Sequence, residues 1–117
     1  MSELIRPSTV LPAVRTSFNV RTEDGIDLVG EIARPIEKST GAILMLHPLP
    51  TAGGMMDSHV YKKASNRLPA MAGINVVRFN TRGTTSEAGA SSGHFDSAVS
   101  ERFDVEAMID YCFDELK

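Results

Sequence analysis

A chain of 117 residues has room for one small domain with a modest core. Apolar residues make up 42% and charged residues 23%, and the net charge of −3 comes without a basic block or basic-aromatic stripe, which argues against a nucleic-acid partner. The single cysteine, Cys112, excludes an internal disulfide framework and a Cys-rich zinc site. No stretch is long enough to span a bilayer and Met1–Arg15 lacks an apolar core of signal-peptide length, so the chain reads as cytoplasmic with no membrane partner.

In chain order, residues 1–15 hold Pro7 and Pro12 without a clean period and read as an extended arm. Thr16–Thr22 alternates, with Phe18 and Val20 on one face, and Ile26, Leu28 and Ile32 continue the alternation after Asp24-Gly25, a dipeptide suited to a tight turn. A half-buried antiparallel hairpin is expected there. Ala42–Leu46 is a short uncharged run that reads as a strand buried on both faces, as in a parallel sheet. Asp57 or Ser58 can cap the helix that follows, with Val60, Ala64, Leu68 and Met71 on one stripe and Pro69 predicting a kink or two short helices. Val76, Val77 and Phe79 form a second buried strand, ending at Asn80-Thr81-Arg82-Gly83.

Thr84–Val99 is a long loop rich in Gly, Ser and Ala. Ser100 then caps a helix with Val105, Met108, Ile109, Cys112 and Leu116 at helical spacing, and with Glu101 and Asp104 where the helix dipole favours negative charge. The order is strand, strand, strand, helix, strand, helix: an α/β layout in which a hairpin feeds a parallel β-α-β unit and a further helix. In open α/β sheets ligands bind at the C-terminal ends of the parallel strands, which singles out His47-Pro48-Leu49-Pro50 with Gly53-Gly54, just after the first uncharged strand.

The hairpin, that His-Pro turn with its glycines, Arg78-Phe79-Asn80-Thr81-Arg82-Gly83 and the Glu101/Asp104 helix start together resemble the first half of an α/β-hydrolase. The resemblance covers nearly all of the chain after Arg15 and is nearest to bacterial serine hydrolases of the esterase, dienelactone-hydrolase-like and acyl-peptidase-like type. It implies that residues 16–117 are the N-terminal part of a single α/β-hydrolase domain with an incomplete sheet in the order first, second, fourth, third. It further implies that an ester or amide is hydrolysed in the complete enzyme by a serine nucleophile, without a cofactor. The nucleophile elbow and then the acid and the histidine would follow later in the family's order, so none of the three is in this chain.

The loop after the third strand supplies an oxyanion N–H in the resembling family. Pro48 and Pro50 have no N–H, so between them only Leu49 can donate. His47, Pro48, Pro50, Gly53, Gly54 and Met55 are then the residues beside the substrate. The plainer alternatives are a rigid strand exit for His47-Pro48-Leu49-Pro50, a hydrogen-bonded structural role for His47, and a glycine turn with core methionines for residues 53–56. Arg82 either binds an anionic substrate or ties its loop to Glu101 or Asp104. No zinc-ligand spacing joins His47, His59 or His94, so no metal is expected.

Gly89-Ala90-Ser91-Ser92-Gly93 matches Gly-x-Ser-x-Gly, but no strand pattern runs into it and no helix runs out of it, so Ser91 is set aside as nucleophile. With no further strand beside it, Ala42–Leu46 becomes a sheet edge. The chain is expected to pair with itself there, to bind a C-terminal half, or to aggregate. The rival to the hydrolase reading is a non-catalytic module that uses this edge to associate.

Overall fold

Alternation builds the first two strands, and the computed structural model pairs them antiparallel: β1 (Val14–Arg21) runs beside β2 (Asp27–Arg34), with Phe18 opposite Gly30 and Val20 opposite Leu28. Residues 10–47, 53–95 and 99–116 are described; Pro48, Leu49, Pro50 and most of the expected N-terminal arm lie outside them. The turn closes through Gly25, at φ 84°, whose N–H donates to the Thr22 carbonyl at 3.0 Å. β3 (Ala42–Met45), α1 (His59–Ala72) and β4 (Asn75–Phe79) form the parallel unit. The sheet runs β1-β2-β4-β3, with β2 and β4 antiparallel, as the resemblance implies. Two short pieces, β5 (Thr85–Ser86) and β6 (Gly89–Ala90), pair within the segment expected to be only loop, and α2 (Glu101–Glu115) closes the order.

The period of two sorts β2 and β4 onto two faces. Leu28, Ile32, Val77 and Phe79 point to one side, where Met108 of α2 completes a fully buried cluster flanked by Phe18, Val20, Leu44 and Tyr111. The Phe18 ring stacks on Tyr111 at 4.4 Å and lies over Gly30, where an added Cβ would come within 2.3 Å of it. Glycine at 30 therefore makes room for an aromatic side chain from the neighbouring strand.

The other face is polar at its centre. Glu31 and Arg78 are cross-strand partners, joined at 2.7 Å, and Arg15 of β1 reaches the same Glu31 oxygen at 3.1 Å. This changes what α1 buries. Val60 and Met71, on the expected apolar stripe, are 69% and 61% exposed, while Ser65 and Pro69 are buried. The helix turns a small polar residue to the sheet because Arg15 and Glu31 wait there: the Ser65 hydroxyl accepts from Arg15 at 2.7 Å.

Two further expectations are corrected. α1 is one helix that runs through Pro69 rather than breaking at it. Proline at 69 removes the N–H that would bond the Ser65 carbonyl, and the Arg15 guanidinium donates to that carbonyl instead, at 2.9 Å. β3 is not buried on both faces: it lies at the edge of the described sheet, the position expected for it without a further strand, and Ala42 and Ile43 are exposed. The capping serines also differ from expectation, since neither Ser58 nor Ser100 makes a side-chain cap bond; the Ser58 hydroxyl accepts the Met55 N–H at 3.0 Å.

Substituting Arg15→Ala should cost about 1–3 kcal/mol, because it strands a carbonyl and unpairs one side of Glu31. Pro69→Ala restores the missing helix bond, so Arg15→Ala should cost less in that background. Urea unfolding of the four variants measures the coupling, and strict additivity would contradict the substitution of one donor for the other.

Candidate functional site

The parallel strands β3 and β4 end side by side, and two side chains tie the segments that leave them. His47, one residue beyond Leu46, accepts the Thr81 N–H at its Nε2 at 3.1 Å. A backbone N–H can only donate, so Nε2 carries the lone pair and the ring proton of the neutral imidazole is on Nδ1. The Thr81 hydroxyl lies 3.1 Å from the same nitrogen and 3.2 Å from the Thr84 hydroxyl. On the far side of the loop, the Asn80 Oδ1 accepts the Met56 N–H at 2.9 Å, and Arg78 donates to the Met56 carbonyl at 2.9 Å. Both ends of the loop are thus fixed to β4 or to the residues just after it.

Among the loop residues singled out from sequence, Gly53 is exposed at φ 85°, Gly54 is buried and Met55 is half-buried, while Met56 is a fully buried core side chain. Pro48, Leu49 and Pro50 lie outside the described residues. His47 and Gly53–Met55 border neither of two recesses elsewhere on the surface. One is an apolar groove of about 420 Å³ between β3 and α2, lined by Ala42, Leu44, Ile109, Cys112, Phe113 and Leu116. The other is a charged cleft of about 260 Å³ that includes Arg15, Glu31, Asp57, Lys62 and Arg78.

Ser91 is structural. It is 6% exposed, its hydroxyl donates to the Asn80 carbonyl at 2.6 Å, and its oxygen accepts the Val29 N–H at 2.9 Å. Ser92 repeats the device one residue on, accepting the Asp27 N–H at 2.8 Å. These bonds lash the Gly/Ser-rich segment along β2, so it is a pinned strap where a mobile surface loop was expected. The other notable serine, Ser86, donates to Asp57 at 2.5 Å. Burial alone would raise the Asp57 carboxyl, but the Ser86 hydroxyl, the Ala88 N–H and Arg78 outweigh it and hold it low. Among the described residues no cluster of His, Cys, Asp and Glu could hold a metal ion. Cys112 is half-buried in the apolar groove, and burial pushes its thiol up, away from thiolate chemistry.

Arg82 is an anchor. Its main-chain N–H and its Nε and terminal nitrogen donate to Asp104 at 2.8, 3.0 and 2.8 Å. The other fork meets Asp24 at 2.7 and 3.0 Å. The pairing with Asp104 is one of the two readings the sequence leaves open; Asp24, in sequence only a turn residue, is the partner it does not reveal. Asn80 was missed as a tether, although it sits inside the motif that the sequence singles out.

The Asp24 carboxyl is lowered from 3.8 to about 2, first by the Arg82 hydrogen bonds and then by the Thr22 hydroxyl. Its folded value lies below its unfolded one, so its contribution is fully present above about pH 4 and is lost as the pH falls toward 2. Thermal melts of the wild type should therefore fall across this window more steeply than those of Asp24→Asn. Parallel curves would contradict the pairing.

No family model matches the chain, and no curated protein matches it. Solved structures do. A protein of unknown function from Agrobacterium tumefaciens, described as a candidate α/β hydrolase, is 27% identical with a TM-score of 0.63, over 82% of this chain and 41% of that one. An esterase of Pyrococcus furiosus matches in two crystal forms, at 18% and 17% identity and TM-scores of 0.62 and 0.64. These alignments cover 88% and 98% of this chain and 38% and 43% of the esterase. The chain thus spans less than half the length of each of these structures, and it carries the α/β-hydrolase fold in part: the entry hairpin, the β-α-β unit and the helix that follows.

Proposed function

We propose that this chain is the N-terminal part of a serine hydrolase that cleaves an ester or amide by acyl transfer to water. Its nucleophile, acid and histidine come from polypeptide beyond these 117 residues. The observation that carries this reading is the hydrolase-like sheet order with a loop tethered at both ends, at the C-terminal edge where such sheets do their chemistry. In it, the N–H of Leu49 donates to the oxyanion of the tetrahedral intermediate, an interaction worth about 3–4 kcal/mol in the transition state. His47, through Thr81, and Met56, through Asn80, hold the loop from its two ends. Pro48 and Pro50 stiffen it, and Gly53, Gly54 and Met55 leave room for the acyl group.

The whole native polypeptide should hydrolyse a short-chain p-nitrophenyl ester and take a fluorophosphonate label, while the 117-residue chain should do neither. In the whole polypeptide, Leu49→Ala should leave the rate nearly unchanged, because the donor is main chain. A whole polypeptide that is inert in both assays would overturn the reading, and so would labelling of Ser91 in the short chain.

A further inference from the structure

Asn80, the first residue past β4, joins segments that are far apart in sequence. It is fully buried. Its main-chain N–H donates to the Val29 carbonyl at 2.8 Å, and its carbonyl accepts the Ser91 hydroxyl at 2.6 Å, so its backbone is fixed to β2 and to the strap. Its side chain then meets the loop after β3 and the strap together. A main-chain N–H only donates and a carbonyl only accepts, so one orientation of the amide serves both. Oδ1 takes the Met56 N–H at 2.9 Å, and Nδ2 donates to the Gly89 carbonyl at 3.2 Å and to the Ser86 hydroxyl oxygen at 3.0 Å. Ser86 receives that bond, and its own proton goes to Asp57, the neighbour of Met56, at 2.5 Å. Arg78 closes the ring, donating to the Met56 carbonyl at 2.9 Å and to Asp57 at 3.1 Å. Each bond in this network fixes the direction of the next.

We propose that Asn80 is a positioning residue for the hydrolysis, whose amide sets where the loop after β3 re-enters the fold and thereby where the Leu49 N–H points. The inference rests on the hydrolytic reading above and deepens it. An oxyanion donor works only when it sits at hydrogen-bond distance from the place where the charge develops. A misplacement of about 1 Å, even from a change far from the chemistry, costs about 10²-fold in rate. A loop held at His47 alone is free to swing about that end, and the second hold, at Met56, removes the freedom. Asparagine suits the position because one short planar group carries an acceptor for the loop and donors for the strap. Ser86 acts on the loop by the same route: it keeps the Asn80 amide turned and holds Asp57, so the strap influences the reaction without touching substrate.

The test uses the whole polypeptide. Fluorophosphonate labelling carried to completion counts the competent sites, and kcat on a short-chain p-nitrophenyl ester is taken per labelled site. Asn80→Ala should lower that kcat about 10²-fold and leave KM within about twofold, because the oxyanion exists only in the transition state. Ser86→Ala, at a half-buried position, should lower it by about tenfold with the same constancy of KM. Ser92→Ala removes a bond between the strap and β2 but leaves Asn80 its partners, and it should match the wild type. A purely structural role for Asn80 would reduce the labelled fraction and leave kcat per site unchanged. A wild type that neither hydrolyses nor labels overturns the hydrolytic reading, and this inference falls with it. An active wild type beside an Asn80→Ala that turns over within about threefold of it per site overturns this inference alone. A loss carried by KM, or an equal loss in Ser92→Ala, does so too. If Asn80→Ala yields no labelled sites, Ser86→Ala decides, and a wild-type kcat per site there overturns the proposal.

Discussion

One guanidinium group organises the α2 side of this molecule. Arg82 lies just past β4, after Asn80 and Thr81, yet its donors reach back to Asp24 in the hairpin turn and forward to Asp104 in the first turn of α2. Asp104 is fully buried, and Arg82 is only 5% exposed. Such a pair, with its remaining positions satisfied, adds little to stability against an apolar core, but losing one member leaves an uncompensated buried charge at a cost of about 3–5 kcal/mol. The pairing therefore acts as a constraint. It requires the turn at residues 22–26, the exit of β4 and the start of α2 to meet at one point, and it sets where α2 lands after the long strap before it. With that helix placed, Met108 closes the core over Leu28, Ile32, Val77 and Phe79.

The opposite face uses the same physics with a different result. Glu31 lies between Arg78 and Arg15, and Arg78 also holds Asp57 and the Met56 carbonyl. A charged centre under α1 explains why its buried positions are Ser65 and Pro69. It also connects that helix to the loop before it. The segment that approaches the strand ends is tied to the residues just past β4, by Asn80 at Met56 and by Thr81 at His47.

Elements with a clear local signal were legible in the sequence: the hairpin from the alternation of Phe18, Val20, Leu28 and Ile32, the strand from the apolar run at Val76–Phe79, and α2 from Met108 and Cys112 with acids in its first turn. What escaped were partnerships across the fold. Asp24 carries a sound turn signal that conceals its second role under Arg82. Ser91 looks like part of a motif or of a loose loop until Val29 and Asn80 are brought to it. Pro69 breaks a helix on local grounds, and only Arg15, far away in sequence, supplies the missing donor. The uncharged run Ala42–Leu46 has the composition of an interior strand and the position of an edge strand, a conflict that composition alone does not resolve. The loop after β3 stood out through its two prolines and two glycines, but its tethers at Thr81 and Asn80 did not.

That conflict between composition and position links fold to function, because an interior-type strand at the edge of the described sheet suits the further strand of the proposed hydrolase sheet. Residue-resolved amide exchange along β3 tests this most directly. The account predicts that Ile43 and Met45, whose N–H groups face β4, are protected in the 117-residue chain, while Ala42 and Leu44 exchange freely there and are protected in the whole polypeptide. Equal protection of all four in the 117-residue chain, or free exchange at Ile43, would contradict the sheet order on which the account rests.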